Sequence, residues 1–221
     1  MFVGHFGLGF AAKKAAPRTS LGSLFLAAQF IDLLWPVLLL LGLETVRIVP
    51  GFTAATPLEF TNYPITHSLV GVLCWAVLFG LVYSALRRYP RGAWVLGILV
   101  VSHWLLDAVV HSPDLPLVPG IETYVGLGLW NSLLATIVVE AAILGIGLWL
   151  YLGITEAMDG IGRFGLGAFV FVVVAIWLLN LLGPPPPSER AIAWLANAQW
   201  LLILWGYWID QHRAPATLFR P

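Results

Sequence analysis

His103, Asp107 and His111 form a ladder inside the apolar stretch VVSHWLLDAVVHSPD. Four-residue steps on a helix advance only about 40° and about 6 Å, so the three side chains line one stripe. Leu99, Val100, Val101, Trp104, Leu105, Leu106, Val109 and Val110 surround them, and such side chains favour lipid. An ionisable group within a membrane span costs at least ~2.5 kcal/mol, so it normally has partners and a task. Three on one stripe fit a cation, a proton path or a cofactor.

Further donors lie elsewhere in the chain. His67 sits in YPITHSLVG, Asp32 in QFIDLLW, and His5 in the first apolar stretch. Imidazole and carboxylate ligands from separate elements suit a divalent ion, with zinc the first expectation and manganese or iron the others. His5, Asp32, His67, His103 and Asp107 are therefore the candidate metal ligands. His111 lies about 12 Å along the helix from His103, too far to share its ion, and is assigned an acid–base role. Glu140 in TIVVEAAIL and Asn131 in GLGLWNS are further candidates, for moving a proton and for orienting a water or substrate. Each of these residues also has a plain structural use, as a hydrogen-bond partner between helices.

The elements that must position these groups are apolar. The chain has 221 residues, 60% of them hydrophobic and 10% charged, with zero formal net charge and a mean hydropathy of +0.90. That composition is of an all-α, polytopic integral membrane protein in a single membrane domain, and nothing in its charge favours nucleic acid. Six segments have spanning length, roughly 20–43, 66–86, 92–111, 127–152, 163–183 and 190–209. MFVGHFGLGFAA precedes its first positive charges, unlike a secretory signal, and reads as a retained interfacial or re-entrant helix. Cys74 excludes an internal disulfide and reads as a buried thiol. GLGF and GLGLW lack the context of phosphate loops and read as close helix packing.

Lysine and arginine set the orientation. Lys13, Lys14, Arg18, Arg87, Arg88, Arg91, Arg163, Arg213 and Arg220 fall on one side, against Arg47 and Arg190 on the other. The positive-inside bias puts the first group, and both termini, in the cytoplasm. Counting about 1.5 Å per residue from that side places Asp32 and His103 at similar depth, with Asp107, His111 and His67 farther out. The candidate groups thus gather in the outer half, beneath two proline-rich loops, 44–65 and 112–126, that have the position of a lid.

Four of these features together resemble a family of bacterial inner-membrane proteins known as membrane-bound metal-dependent hydrolases. They are His5 on an N-terminal helix, Asp32 in the next span, Thr66-His67-Ser68 opening a span, and His103 with Asp107 on a His-x3-Asp helix. The resemblance covers about the first 110 residues and implies the inner membrane, a bound metal and hydrolysis. Over a shorter stretch the His-x3-Asp element is also similar to zinc-dependent phospholipase C. Gln29-Phe30-Ile31-Asp32 stands where the family has Pro-Asp-x-Asp, which removes one carboxylate. Asn62 and Tyr63 stand where it has His-Arg.

The leading expectation is a metal-dependent hydrolase acting on an ester or phosphoester, lipid-like because the site is deep. A haem-binding or accessory subunit of a membrane complex is the second reading. A proton-coupled transporter is the third, although no internal repeat supports it. Membrane lipid is the expected partner, with a membrane complex or a homo-oligomer as the setting.

Overall fold

The computed structural model describes residues 1–216; Arg220, counted above among the basic residues, lies outside them. The chain is mostly helical. In order it forms α1 (Val3–Ala15), α2 (Leu21–Ala28), α3 (Phe30–Leu40), the four-residue α4 (Pro64–His67), α5 (Leu69–Arg87), α6 (Pro90–Val110), α7 (Leu133–Ile154), α8 (Gly160–Leu182), α9 (Glu189–Asn197) and α10 (Gln199–Gln211). Helix starts are marked by oxygen caps. Ser68, Ser132, Asp159 and Ser188 accept from the amides of Gly71, Ala135, Gly162 and Ala191, and Pro64 and Pro90 occupy first turns.

Among the described residues, five helical stretches are long and apolar enough to cross a membrane: α5, α6, α7, α8 and the α9–α10 run. A sixth arises if α2 and α3 count together, although they meet at 56°. The segment 20–43 is therefore a broken helix and not one straight span. The break falls at Gln29, well before Pro36, and the buried Gln29 side chain turns its amide toward the Phe2 carbonyl of α1.

The all-helical expectation needs a small correction. Three two-stranded antiparallel ribbons tie the loops, pairing Thr45–Ile48 with Leu58–Asn62, Leu115–Pro116 with Tyr124–Val125, and Thr155–Ala157 with Arg213–Pro215. Backbone groups in long connections must find partners, and strand pairing provides them.

The N-terminal helix is buried inside the bundle. Val3, His5, Phe6, Gly7, Gly9 and Phe10 are buried, and α1 packs on α7, α2 and α6. An apolar surface on every side makes the interior its stable place. Glycine sets its approach to α7: a Cβ on Gly7 would stand 2.6 Å from the Ile143 carbonyl oxygen, and one on Gly147 would collide with that of Gly7. Beyond this contact, Phe6, Phe10, Phe25 and Phe169 form an edge-and-stack cluster.

Two sequence readings change here. Cys74 is exposed on the outward face of α5, beside Leu73 and Val77, because that helix packs chiefly on α6. The glycines of GLGLW are loop residues: Gly128 adopts φ +72°, and Gly126 comes so close to the Ser112 carbonyl that a side chain would not fit.

Basic residues collect at one end of the bundle. Arg91 donates to the Ala15 carbonyl, Arg18 lies over Tyr89, and Lys13 pairs with Asp210 at 2.7 Å. At the opposite end, the Ala55 amide bonds the Trp130 carbonyl and the Val70 amide bonds that of Leu117, tying the loops there to their neighbours.

Candidate metal centre

Each site residue is brought in by a particular irregularity. The break at Gln29 places Asp32 in the first turn of α3 and leaves the Ala28 carbonyl to accept from His103 Nδ1 at 2.8 Å. His67 ends α4, and the extended Ser68 then starts α5 on a new axis. His103 and Asp107 lie one turn apart on the buried face of α6, and α1 delivers His5.

Five of the sequence candidates converge. His103 Nε2 stands 3.1 Å from Asp107 Oδ2 and 3.6 Å from Asp32 Oδ1. His67 Nε2 stands 3.8 Å and 3.6 Å from the same two oxygens. The donors form two triads that share His103, Asp32 with His67 and His103, and His5 with His103 and Asp107, and the ligand atoms within each lie within 4.8 Å of one another, close enough to hold a metal ion. His5 Nε2 approaches the other oxygen, Asp107 Oδ1, at 3.3 Å, and the Met1 amino group lies 2.7 Å from that atom. The His5 ring stacks on His103, with centroids 3.8 Å apart.

The Ala28 carbonyl can only accept, so His103 carries a proton on Nδ1 and turns Nε2 toward two carboxylates. That nitrogen is buried and has no hydrogen-bond partner among the described residues. Two carboxylates around a buried ring nitrogen at this range call for positive charge, carried by a proton on the ring or by a cation. All the side chains are nearly buried except Asp32, which is 22% exposed.

His111 stands apart from these ligands. Its ring centroid is 6.5 Å from that of His67, at the point where α6 has given way to extended backbone. His111 Nδ1 donates to Asp114 Oδ1 at 3.0 Å, and the Tyr63 hydroxyl donates to the same oxygen at 3.1 Å. Burial, then the adjoining Asp114 carboxylate, push the Tyr63 phenol well above its ordinary value, so it remains a donor. Phe60 and Trp130 pack on the His111 ring at 4.8 and 4.4 Å between centroids. The two proline-rich loops thus roof the site.

Two candidates fall outside the cluster. Glu140 accepts from the Phe2 amide at 2.8 Å and the Gly4 amide at 3.4 Å, where a carboxylate complements the amino end of a helix. Asn131 is exposed on a short 3-10 turn, because the Gly128 turn presents Trp130 inward and carries Asn131 to the surface.

Sequence reasoning missed Asp114, Glu44 and the Ala28 carbonyl. Asp114 had a signal, since it follows His111 by three residues just past a helix end. Glu44 is buried beneath the outer hairpin although it belongs to a loop segment. Nothing in a residue name announces a free backbone carbonyl. Comparison of the chain with family profiles, with curated proteins and with solved structures found no match.

Proposed function

We propose a multi-pass membrane metalloprotein in which Asp32, His67, His103 and Asp107 hold one divalent ion and hydrolyse an ester or phosphoester. In this reading α2–α3 forms one bent span among six, α1 is a re-entrant helix, and the basic end faces the cytoplasm of a bacterial inner membrane. Zinc is the first candidate ion, with manganese and iron next. The observation that carries the proposal is the facing of a buried His103 Nε2 toward Asp32 and Asp107 with His67 alongside.

A divalent ion held there would supply an activated water and polarise the scissile bond. Asp114 fixes the His111 ring through Nδ1 and leaves Nε2 to take or give a proton. Tyr63 steadies Asp114. Glu140 holds α1 in place, and Asn131 has no part in the chemistry. A site enclosed by apolar helices favours a lipid-like substrate, and the shortage of lysine and arginine on the outer side disfavours a highly charged headgroup.

The haem reading gains no support, since His5 and His103 stack directly and leave no slot for a porphyrin between them. Metal analysis of the protein purified without chelator, paired with release of fatty acid or phosphate from inner-membrane lipids, tests the proposal. One equivalent of metal with metal-dependent product release is expected. Metal-free protein that also binds none on titration overturns it.

A further inference from the structure

A carboxylate outside the cluster sets which nitrogen of His67 faces the ion. Glu44 is 1% exposed, yet it lies in the loop that follows α3. Its Oε1 accepts from the backbone amides of Ile65 and Thr66 at 2.8 and 2.9 Å, at the start of α4. Its Oε2 accepts from the Thr66 hydroxyl at 2.6 Å. The Thr66 oxygen is in turn 2.7 Å from His67 Nδ1.

Counting protons gives this chain a direction. An ionised carboxylate only accepts, and a hydroxyl has one proton to give. Thr66 gives that proton to Glu44, so its lone pair faces His67 and the bond between them requires an Nδ1–H. His67 is then bare at Nε2, the atom that stands 3.6 and 3.8 Å from Asp32 and Asp107. The Ala28 carbonyl likewise accepts from Nδ1 of His103. We infer that Glu44 is a positioning residue that acts through Thr66 to hold His67 in the Nδ1–H tautomer, with Nε2 turned to the ion. This inference rests on the metal reading for its purpose, whereas the tautomer itself can be measured without metal.

Partners that orient a ligating imidazole typically contribute 10- to 100-fold in metal affinity. Glu44→Gln is the sharpest variant. The amide oxygen can still accept from Ile65 and Thr66, while the amide nitrogen opposite Thr66 donates to its oxygen. Thr66 must then donate to His67 Nδ1, and the proton moves to Nε2, where it blocks the ion. Thr66→Ser keeps the relay, and Thr66→Val removes it.

The test uses full-length protein in detergent with 15N-labelled histidine, His67 being assigned by its loss in His67→Gln. Cobalt(II) titration follows by the visible spectrum. Wild type should show the Nδ1–H tautomer, and Glu44→Gln the Nε2–H tautomer. Cobalt affinity should fall about 10- to 100-fold in Glu44→Gln and Thr66→Val and stay at the wild-type level in Thr66→Ser. A wild-type His67 that is Nε2–H or doubly protonated overturns the inference, and this readout needs no variant to fold. Wild-type cobalt affinity in both Glu44→Gln and Thr66→Val, with loss in His67→Gln, also overturns it while leaving the metal site standing. Absence of cobalt binding in wild type, with a tautomer that Glu44→Gln reverses, overturns the metal reading and supports the relay.

Discussion

The imidazole rings of His5 and His103 lie face to face, 3.8 Å between centroids and 5° from parallel. An imidazole lone pair lies in the plane of its ring, so one ion cannot sit in line with both nitrogens of a stacked pair. His103 has two further carboxylate neighbours, and His5 has only Asp107 within ion-pair range. In the proposed site His103 is the ligand and His5 its stacked neighbour, while His5, His103 and Asp107 also lie close enough together to hold a metal ion.

The first prediction follows directly. His5→Ala should retain stoichiometric metal, and His103→Ala should lose it, with an affinity drop beyond the roughly 100-fold expected for an outer partner. Metal analysis after gel filtration reads both. Equal loss in the two variants would return His5 to the coordination shell.

Asp107→Asn keeps the shape of the side chain and removes one of the two negative charges that offset a divalent ion. Metal occupancy should fall sharply while the helical circular dichroism spectrum in detergent is retained. Metal retained at the wild-type level in Asp107→Asn and also in His103→Ala would remove both residues from the ligand set.

Gly147→Val tests the packing that seats α1. A side chain there meets the Gly7 backbone, which cannot yield as a flexible side-chain end can. Overpacking of this kind costs about 1–3 kcal/mol. A lowered unfolding temperature in detergent is expected, together with loss of bound metal. An unchanged unfolding temperature would show that α1 does not pack there.

Cys74 and Arg88 together test topology. Cys74 lies in an apolar groove with Leu73, Val77 and Leu81 on α5, so it should react with a membrane-permeant maleimide and resist a water-soluble one. In a Cys74→Ser background, Arg88→Cys should be labelled by an impermeant reagent only after the membrane is opened. Labelling of Arg88→Cys in intact spheroplasts would reverse the orientation.

Asp159 provides a pH-dependent contact far from the metal. It accepts from the Gly162 amide at 2.8 Å and pairs with His212 at 2.7 Å, and these interactions, the backbone bond first, hold its carboxyl below the ordinary 3.8. A depressed folded-state value gives stability that is present above 3.8 and lost as pH falls through the lower folded value. The unfolding temperature of wild type should therefore exceed that of Asp159→Ala at neutral pH, with the gap closing in strong acid. A gap that stays constant down to pH 2 would refute this.

Much of the site was legible because its chemistry is conspicuous against apolar surroundings. His103, Asp107, Asp32 and His67 stand out in stretches that otherwise want lipid, and depth counted along helices gathered them in one half of the span. The division of labour was not legible. Whether His5 ligates depends on a ring plane, which spacing does not set. The role of Glu140 depends on α7 running beside the start of α1, a contact between residues 136 or more apart in sequence. Span positions were readable from apolar length, but the break at Gln29 was not, since no glycine or proline marks it. Cys74 was misread because an apolar run looks the same whether it faces protein or lipid.

The backbone contact of Gly7 with Gly147 sets an order of events during synthesis. α1 has its closest partner in a helix made more than a hundred residues later. At roughly 5–20 residues per second, α1 waits on the order of ten seconds before α7 exists. Throughout that interval its phenylalanines and His5 must be sheltered by α2, by lipid or by the insertion machinery. The newborn chain therefore passes through a stage in which α6 has been made but α1 has no seat beside it. Conditions that slow elongation between residues 110 and 154 should lengthen that stage, making pulse-labelled protein more susceptible to membrane proteases.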